Sequence, residues 1–324
     1  MSKVLEIVKN SKKCAGFMAA AKTAQKNILL ESIALKLADH SAEIVAANEE
    51  DIKKSREEGI SESLLDRLML DNSRIQKIAE GIKEVIELTD PVGQVIFGHN
   101  LENGLILKNI RVPFGVIGIV YEARPNVTVD AAVLCIKAGS CVVLRGSSHA
   151  LATNLKIVEI MRLALKENGF PEDIIQIIPT GSREDAEKLM QLREYVDVLI
   201  PRGGKSLIDN VVLNSKVPVI ETGIGNCHIY IDNKLDGIDI DTIISIVINS
   251  KTQRPSVCNA AEKLLIHRDV AKSLLPKILE RLKEKNVIIK GCDETISIYP
   301  SAEAATKEDW YEEYLDLKMS VKVV

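Results

Sequence analysis

A cysteine on a proline-broken loop between two apolar runs is the residue of this chain best suited to covalent chemistry. Cys258 lies in the segment Thr252-Gln253-Arg254-Pro255-Ser256-Val257-Cys258-Asn259-Ala260-Ala261-Glu262. Flanking elements can hold such a thiol still while leaving it open to substrate, as a thioester-forming nucleophile requires. Arg254, four residues back, is placed to favour the thiolate over the ordinary thiol and to attract an anionic substrate. The plain alternative is a buried, inert thiol.

The chain has six cysteines, so the choice needs argument. Cys135 and Cys141 fall inside an expected helix and an expected strand and read as core. Cys14 lies in a helix. Cys227, just after the turn at 223–226, is the rival reactive thiol. No C-x2-C pair occurs, and the histidines (His40, His99, His149, His228, His267) show no metal spacing, so no metal is expected. A Cys–His pair with His228 or His267 stays open.

The second chemical signal is a set of loops. Short apolar runs at 115–121, 141–144, 174–178, 196–200 and 217–220 read as strands of a parallel sheet covered on both faces. Ligands bind such sheets at the carboxyl ends of the strands. The segments just past these runs are Glu122-Ala123-Arg124-Pro125-Asn126, Arg145-Gly146-Ser147-Ser148, Pro179-Thr180-Gly181-Ser182, Arg202-Gly203-Gly204-Lys205 and Glu221-Thr222-Gly223. Glycine, hydroxyl and arginine recur there. Glycine lets the backbone approach a ligand, and helix N-termini offer N–H groups to phosphate. Each loop alone is an ordinary connection; together they point to a nucleotide. Neither G-x-G-x-x-G nor a complete P-loop is present.

The elements that must position these residues are set by the pattern. Residues 1–90 read as helices over 19–37, from Ser41 to near Gly59, 61–70 and 71–88. Glu102-Asn103-Gly104 between apolar runs predicts a hairpin within 94–112, either a surface feature or an exposed ribbon that pairs with another subunit. Helices are expected at 129–137 and 150–168, and Ser182-Arg183-Glu184-Asp185 resembles a capping box. After a strand at 229–232, Asp239 or Asp241 caps a helix that ends before Pro255. A strand at 263–266, a helix at 271–285 and a last strand over 315–324 complete the reading. Hydrophobic residues are 46%, charged residues 27%, aromatics 3%, and the net charge is −4. That balance gives no footing for nucleic acid or an anionic membrane surface, and no apolar run is long enough for a span. A cytoplasmic protein of two domains is expected, residues 1–232 and 233–324.

These motifs resemble the aldehyde dehydrogenase superfamily, and within it the branch that reduces an acyl phosphate in proline biosynthesis. The resemblance rests on Val112-Pro113-Phe114-Gly115-Val116-Ile117-Gly118-Ile119-Val120-Tyr121-Glu122-Ala123-Arg124-Pro125-Asn126-Val127-Thr128. It rests equally on Leu144-Arg145-Gly146-Ser147, Ile200-Pro201-Arg202-Gly203-Gly204-Lys205, Glu221-Thr222-Gly223-Ile224-Gly225-Asn226-Cys227-His228 and Gln253-Arg254-Pro255-Ser256-Val257-Cys258-Asn259. It implies an α/β fold with a Rossmann-type parallel-sheet nucleotide-binding domain, an α/β catalytic domain and a β-hairpin oligomerisation element. It implies reduction of L-glutamyl 5-phosphate by NADPH through a thioester on Cys258, with Asn126 as oxyanion donor. Arg145, Gly146, Ser147, Ser148, Thr180, Gly181, Arg202, Gly203, Gly204, Glu221, Thr222 and Gly223 would hold NADPH/NADP, and Arg124 and Arg254 the substrate's phosphate or α-carboxylate. Glu221 stands where hydrolytic relatives keep a general base, although a phosphate-releasing reductase need not activate water. A homo-oligomer, coupled to a glutamate 5-kinase, is expected.

Relatives of that branch continue past Val324, so the chain reads as truncated in its catalytic domain, with an unpaired last strand and poor solubility as consequences. An aldehyde dehydrogenase of other specificity and an inactive nucleotide-binding fragment are the alternatives.

Overall fold

A computed structural model of the chain describes residues 2–221, 223 and 225–324. Its contacts divide the chain into two compact units, Met1–Thr222 and Gly223–Val324.

The first unit opens with five helices: α1 (Lys3–Ala20), α2 (Thr23–Asp39), α3 (Ser41–Glu57), α4 (Glu62–Leu68) and α5 (Asn72–Glu87). The expected single helix over 19–37 is instead two, broken at Ala21 and Lys22, whose backbones are extended. Composition alone favours continuity there, because Ala, Leu and Lys are good helix formers. Tertiary contacts override it. The Thr23 hydroxyl donates to Asp90 Oδ2 at 2.6 Å, and the buried Lys26 ammonium lies 2.6 Å from the same carboxylate. Lys26 also donates to the Lys137 carbonyl at 3.0 Å. The stop near Gly59 stands, with φ of 74° at that residue, and Asp71 caps α5 by accepting from Arg74 N at 2.7 Å.

A two-stranded antiparallel hairpin comes next, β1 (Val95–Asn100) and β2 (Ile106–Ile110), turning at Gly104 with φ 83°. Both of its strands are exposed along their whole length, including Phe97 and Ile106.

The parallel sheet has the order β5-β4-β3-β6, from β3 (Val116–Tyr121), β4 (Cys141–Arg145), β5 (Ile175–Ile177) and β6 (Val198–Arg202). Helices α6 (Asn126–Lys137), α7 (Leu151–Glu167), α8 (Arg183–Gln191) and α9 (Lys205–Asn214) run between and after these strands. β3 is buried throughout, so its unbroken apolar run fits a strand covered on both faces. Cys135 in α6 and Cys141 in β4 are core, and burial pushes both thiols up to about 12. The run at 217–220 is not a strand. It makes one parallel bridge, Leu199 to Val219, because only a short stretch after the extended Ser215 lies against β6. The expected capping box at Ser182 is also absent: Ser182 makes no side-chain cap, and Asp185 instead accepts from the Thr180 hydroxyl at 2.6 Å.

Asp197 fixes the entry to β3. Its carboxylate accepts from Lys12 Nζ with both oxygens at 2.7 Å and from Val116 N at 2.8 Å. A Cβ on Gly115, which has φ +110°, would lie 2.4 Å from that carboxylate. Asp197→Ala leaves the Val116 N–H without its acceptor, and a loss of about 1–3 kcal/mol in urea unfolding is expected.

The second unit is a five-stranded sheet of order β10-β9-β11-β8-β7, parallel at every pairing. Its elements are β7 (Cys227–Ile231), α10 (Ile240–Thr252), β8 (Ala261–Ile266), α11 (Arg268–Glu284), β9 (Ile288–Gly291), α12 (Asp293–Ile298), β10 (Glu303–Ala304) and β11 (Lys318–Val323). Asp239 caps α10 by accepting from Thr242 N, and His267 caps α11 by accepting from Asp269 N, which gives this histidine a structural task. The expected domain boundary lay after Asp232, whereas β7 pairs with β8 inside the second unit. The last strand is not unpaired: β11 sits between β8 and β9, with Met319, Ser320 and Val321 buried. Of its two neighbours, β8 was expected at 263–266, whereas β9 was not legible in the sequence. Among the described residues no helix is long and apolar enough to cross a membrane, and no group of three His, Cys, Asp or Glu could hold a metal ion.

Candidate active site

All four strands of the first sheet run parallel, so their carboxyl ends share one edge. There the loop after β4 meets the loop after β5. Arg145 Nη2 donates to the carbonyls of Gly181 at 2.9 Å and Ser182 at 3.0 Å. Burial pushes the guanidinium pKa down, opposed by the nearby Asp185 charge, and its Nε is buried with no partner.

Glycine is demanded by close packing at this edge. A Cβ on Gly146 would meet Asn154 Nδ2 at 2.3 Å and the Tyr121 ring at 3.0 Å; on Gly181 it would meet Ser148 Cβ at 2.4 Å. The Tyr121 hydroxyl, Thr128 and Asn154 form the buried hydrogen-bonded floor beneath Gly146, at 2.7 and 2.8 Å. Ser147 caps the next turn by accepting from His149 N. After β6, Glu122 from the end of β3 accepts from Gly204 N at 3.0 Å and packs where a Gly203 side chain would stand. Arg202 is the exposed last residue of β6. The structure therefore assembles Arg145, Gly146, Ser148 and Gly181, with Thr180 on the second of these loops, and pairs Gly203 and Gly204 with Glu122. Glu221 is exposed; Thr222 lies outside the described residues, and Gly223 falls in the second unit. Asn126 opens α6, its amide donating to Asp130 Oδ2 at 3.1 Å, and Arg124 directly precedes that helix in the sequence.

In the second unit Cys258 is exposed on the loop between α10 and β8, together with Arg254. The rival thiol lies beside it: Cys227 Sγ donates to the Cys258 carbonyl at 3.3 Å. Burial pushes the Cys227 thiol up, and the charges of Cys258, Glu262 and Glu313 push the same way. Cys227 is thereby kept a neutral donor. Gly225 backs Cys258 more closely still, since a Cβ there would lie 2.4 Å from the Cys258 carbonyl oxygen and 2.6 Å from Glu313 Oε1. His228 bonds through Nδ1 to the Asn226 carbonyl at 2.5 Å.

Sequence reasoning did not single out Gly225, Glu313 or the ion pair Lys251–Glu262. Gly225 carried a signal in Gly223-Ile224-Gly225; the acidic residues carried none, since nothing in the sequence sets them apart from the rest of the 46 Asp and Glu.

The first unit thus carries a glycine-lined carboxyl edge on its parallel sheet, and the second an exposed loop cysteine. The family model described as "Aldehyde dehydrogenase family" matches residues 2–319, and the chain belongs to that family. Solved structures of low identity share the fold alone, as does a propionaldehyde dehydrogenase from Rhodopseudomonas palustris at 16% identity and TM-score 0.67, covering 100% of this chain and 75% of that one. Within the family the chain is an oxidoreductase of the gamma-glutamyl phosphate reductase group. The protein of that name from Clostridium novyi is 48% identical over 321 residues, 99% of this chain and 76% of that protein. The crystal structure of the Thermotoga maritima reductase matches at TM-score 0.91 and 44% identity, covering 100% of this chain and 77% of that one. The Saccharomyces cerevisiae reductase matches at TM-score 0.64 and 28% identity, covering 99% and 80%.

Proposed function

We propose that the chain reduces L-glutamyl 5-phosphate to L-glutamate 5-semialdehyde and phosphate through a thioester on Cys258. The observation that carries this reading is the exposed Cys258 on a loop whose backbone is packed against Gly225 and held by Cys227. The Cys258 thiolate attacks the γ-acyl carbon, the carbon–oxygen bond to phosphate breaks, and phosphate leaves. After reduction, the tetrahedral adduct on Cys258 collapses, returning the thiolate and releasing the aldehyde. Both tetrahedral species carry an oxyanion, and the Asn126 amide and the Cys258 N–H are the proposed donors to it.

A nicotinamide cofactor suits the carboxyl edge of the first sheet, where buried Arg145 Nε lacks a partner and glycines at 146, 181 and 203 let the loops pack closely. Bound there, it supplies the hydride. Arg145, Gly146, Ser147, Ser148, Thr180, Gly181, Arg202, Gly203 and Gly204 are its proposed holders, with Glu221, Thr222 and Gly223. NADP rather than NAD is favoured by chemistry: β4 ends at Arg145, followed by Gly146-Ser147-Ser148, which places an arginine for a 2′-phosphate at the strand end with no acidic residue in that segment for a free 2′-hydroxyl. Arg124 and Arg254 are the proposed holders of the substrate's phosphate or α-carboxylate. Unchanged KM and kcat in both Arg124→Ala and Arg254→Ala would remove them from that role.

The assay that tests the function runs the reaction in reverse, with glutamate semialdehyde, NADP⁺ and phosphate. NADP⁺ reduction that rises with phosphate or arsenate is expected; a rate indifferent to both would mean an ordinary aldehyde dehydrogenase. Assembly into a homo-oligomer through the exposed hairpin β1–β2 is part of the same reading, supported by the outward Phe97, Ile106 and, beyond the strands, Phe114. A cytoplasmic setting also belongs to it, as does a glutamate 5-kinase that supplies the acyl phosphate.

A further inference from the structure

We infer that the buried ion pair Lys251–Glu262 is a positioning device for the nucleophile, tying together the two ends of the loop that carries Cys258. The inference rests on the reading of Cys258 as the thioester-forming residue. Lys251 stands in the last turn of α10 and Glu262 is the second residue of β8, so the pair straddles the loop 253–260. Lys251 Nζ lies 3.3 Å from Glu262 Oε2, with side chains 0% and 1% exposed. Glu262 spends its other oxygen on Leu315 N, also at 3.3 Å, which ties the same point to the segment leading into β11.

The loop itself has little regular structure. Its backbone bonds include Gln253 N to Asn249 O at 3.1 Å and Ala260 N to Val257 O at 3.0 Å, one at each end. At Cys258 the Cys227 thiol on the carbonyl and the close approach of Gly225 add restraint. How firmly the two ends are held is therefore one determinant of where the thiol stands.

Stability is a poor reason for such a pair. Taking two charges out of water costs about what their attraction returns, and apolar replacements of similar size are often neutral. Burial pushes the Lys251 ammonium pKa down, and the neighbouring Glu262 charge opposes that. Lys263 is buried beside them, donating to the Glu312 carbonyl at 2.7 Å and lying 4.5 Å above the Tyr314 ring. Within this polar interior the Lys251–Glu262 contact joins the two loop ends, and the bonds of Glu262 and Lys263 to Leu315 N and the Glu312 carbonyl anchor β8 to the segment before β11. A displacement of about 1 Å at a reacting atom can cost about 10²-fold in rate, so geometry is what a directed pair secures.

The test is the double variant Lys251→Met with Glu262→Gln, which removes both charges and keeps an acceptor for Leu315 N. Assayed as the full chain, it is expected to keep its thermal midpoint and NADPH affinity while kcat falls about tenfold with KM unchanged. The rate at which iodoacetamide alkylates Cys258 should shift at the same time. A stable double variant with kcat and alkylation rate within twofold of the parent overturns the inference. Should the double variant not fold, hydrogen exchange on the unmodified chain decides. Amides at 253–260 are expected to exchange more slowly than those of the exposed hairpin turn at 101–104, and equal rates overturn the inference. Failure of the nucleophile reading looks different: Cys258→Ser would then stay active, whereas the alkylation and exchange measurements would still report on the clamp.

Discussion

Cys258→Ala is expected to lower kcat by at least about 10⁴-fold while leaving NADPH affinity within twofold. Removing a covalent nucleophile removes the intermediate itself, so the loss is of the size seen when other nucleophiles are deleted. Nucleotide affinity is spared because its proposed holders are carried mostly by the loops of the first unit's sheet, away in sequence from the loop 253–260. Mass spectrometry after exposure to substrate supplies the direct readout: one acyl group on Cys258 in the parent and none in Cys258→Ala. The control is Cys227→Ala, in which the acyl group should still form on Cys258, because the Cys227 thiol is held neutral by burial and by adjacent negative charge. An adduct on Cys227 in the parent would reverse the assignment of the two thiols.

The second large effect is expected from a single methyl group. Gly225→Ala places a Cβ 2.4 Å from the Cys258 carbonyl oxygen and 3.2 Å from its carbonyl carbon. Both are backbone atoms, so no flexible side chain can swing away; the loop or the strand must shift. Gly225 lies outside the strands and helices of the second unit, so the unit should still fold. The expected result is a fall in kcat of about 10²-fold with a smaller change in KM, the signature of a nucleophile moved out of line. A Gly225→Ala enzyme with kcat within twofold of the parent would show that the close approach of Gly225 does not set the position of Cys258.

Much of this site was legible in the sequence because its signals are local. A proline before a cysteine, an Asn-Gly turn, and glycine and arginine just after an apolar run each involve residues a few positions apart. Neighbouring residues fix local backbone geometry, so Cys258 as an exposed loop thiol, the hairpin, the parallel sheet and the glycine-lined edge came from pattern and from the resemblance together. The expectations that failed depend on residues far apart. The break at Ala21 and Lys22 is set by Asp90, reached by Thr23 and Lys26. The supposed strand at 217–220 had the right composition and only one bridge to lie on.

The sequence by itself identified the family, and it put forward Cys258, with Cys227 as rival, as the candidate nucleophile and the loops past the apolar runs as candidates for a nucleotide. Only the tertiary structure decided that β11 is an inner strand rather than a loose end, that the Cys227 thiol donates to the Cys258 carbonyl, and that Lys251 and Glu262 pair across the two ends of the loop that carries Cys258. The physical reason is one of range. Side-chain chemistry and local backbone preference are properties of short segments, whereas strand order, register and the burial of a charge depend on which distant segment lies alongside.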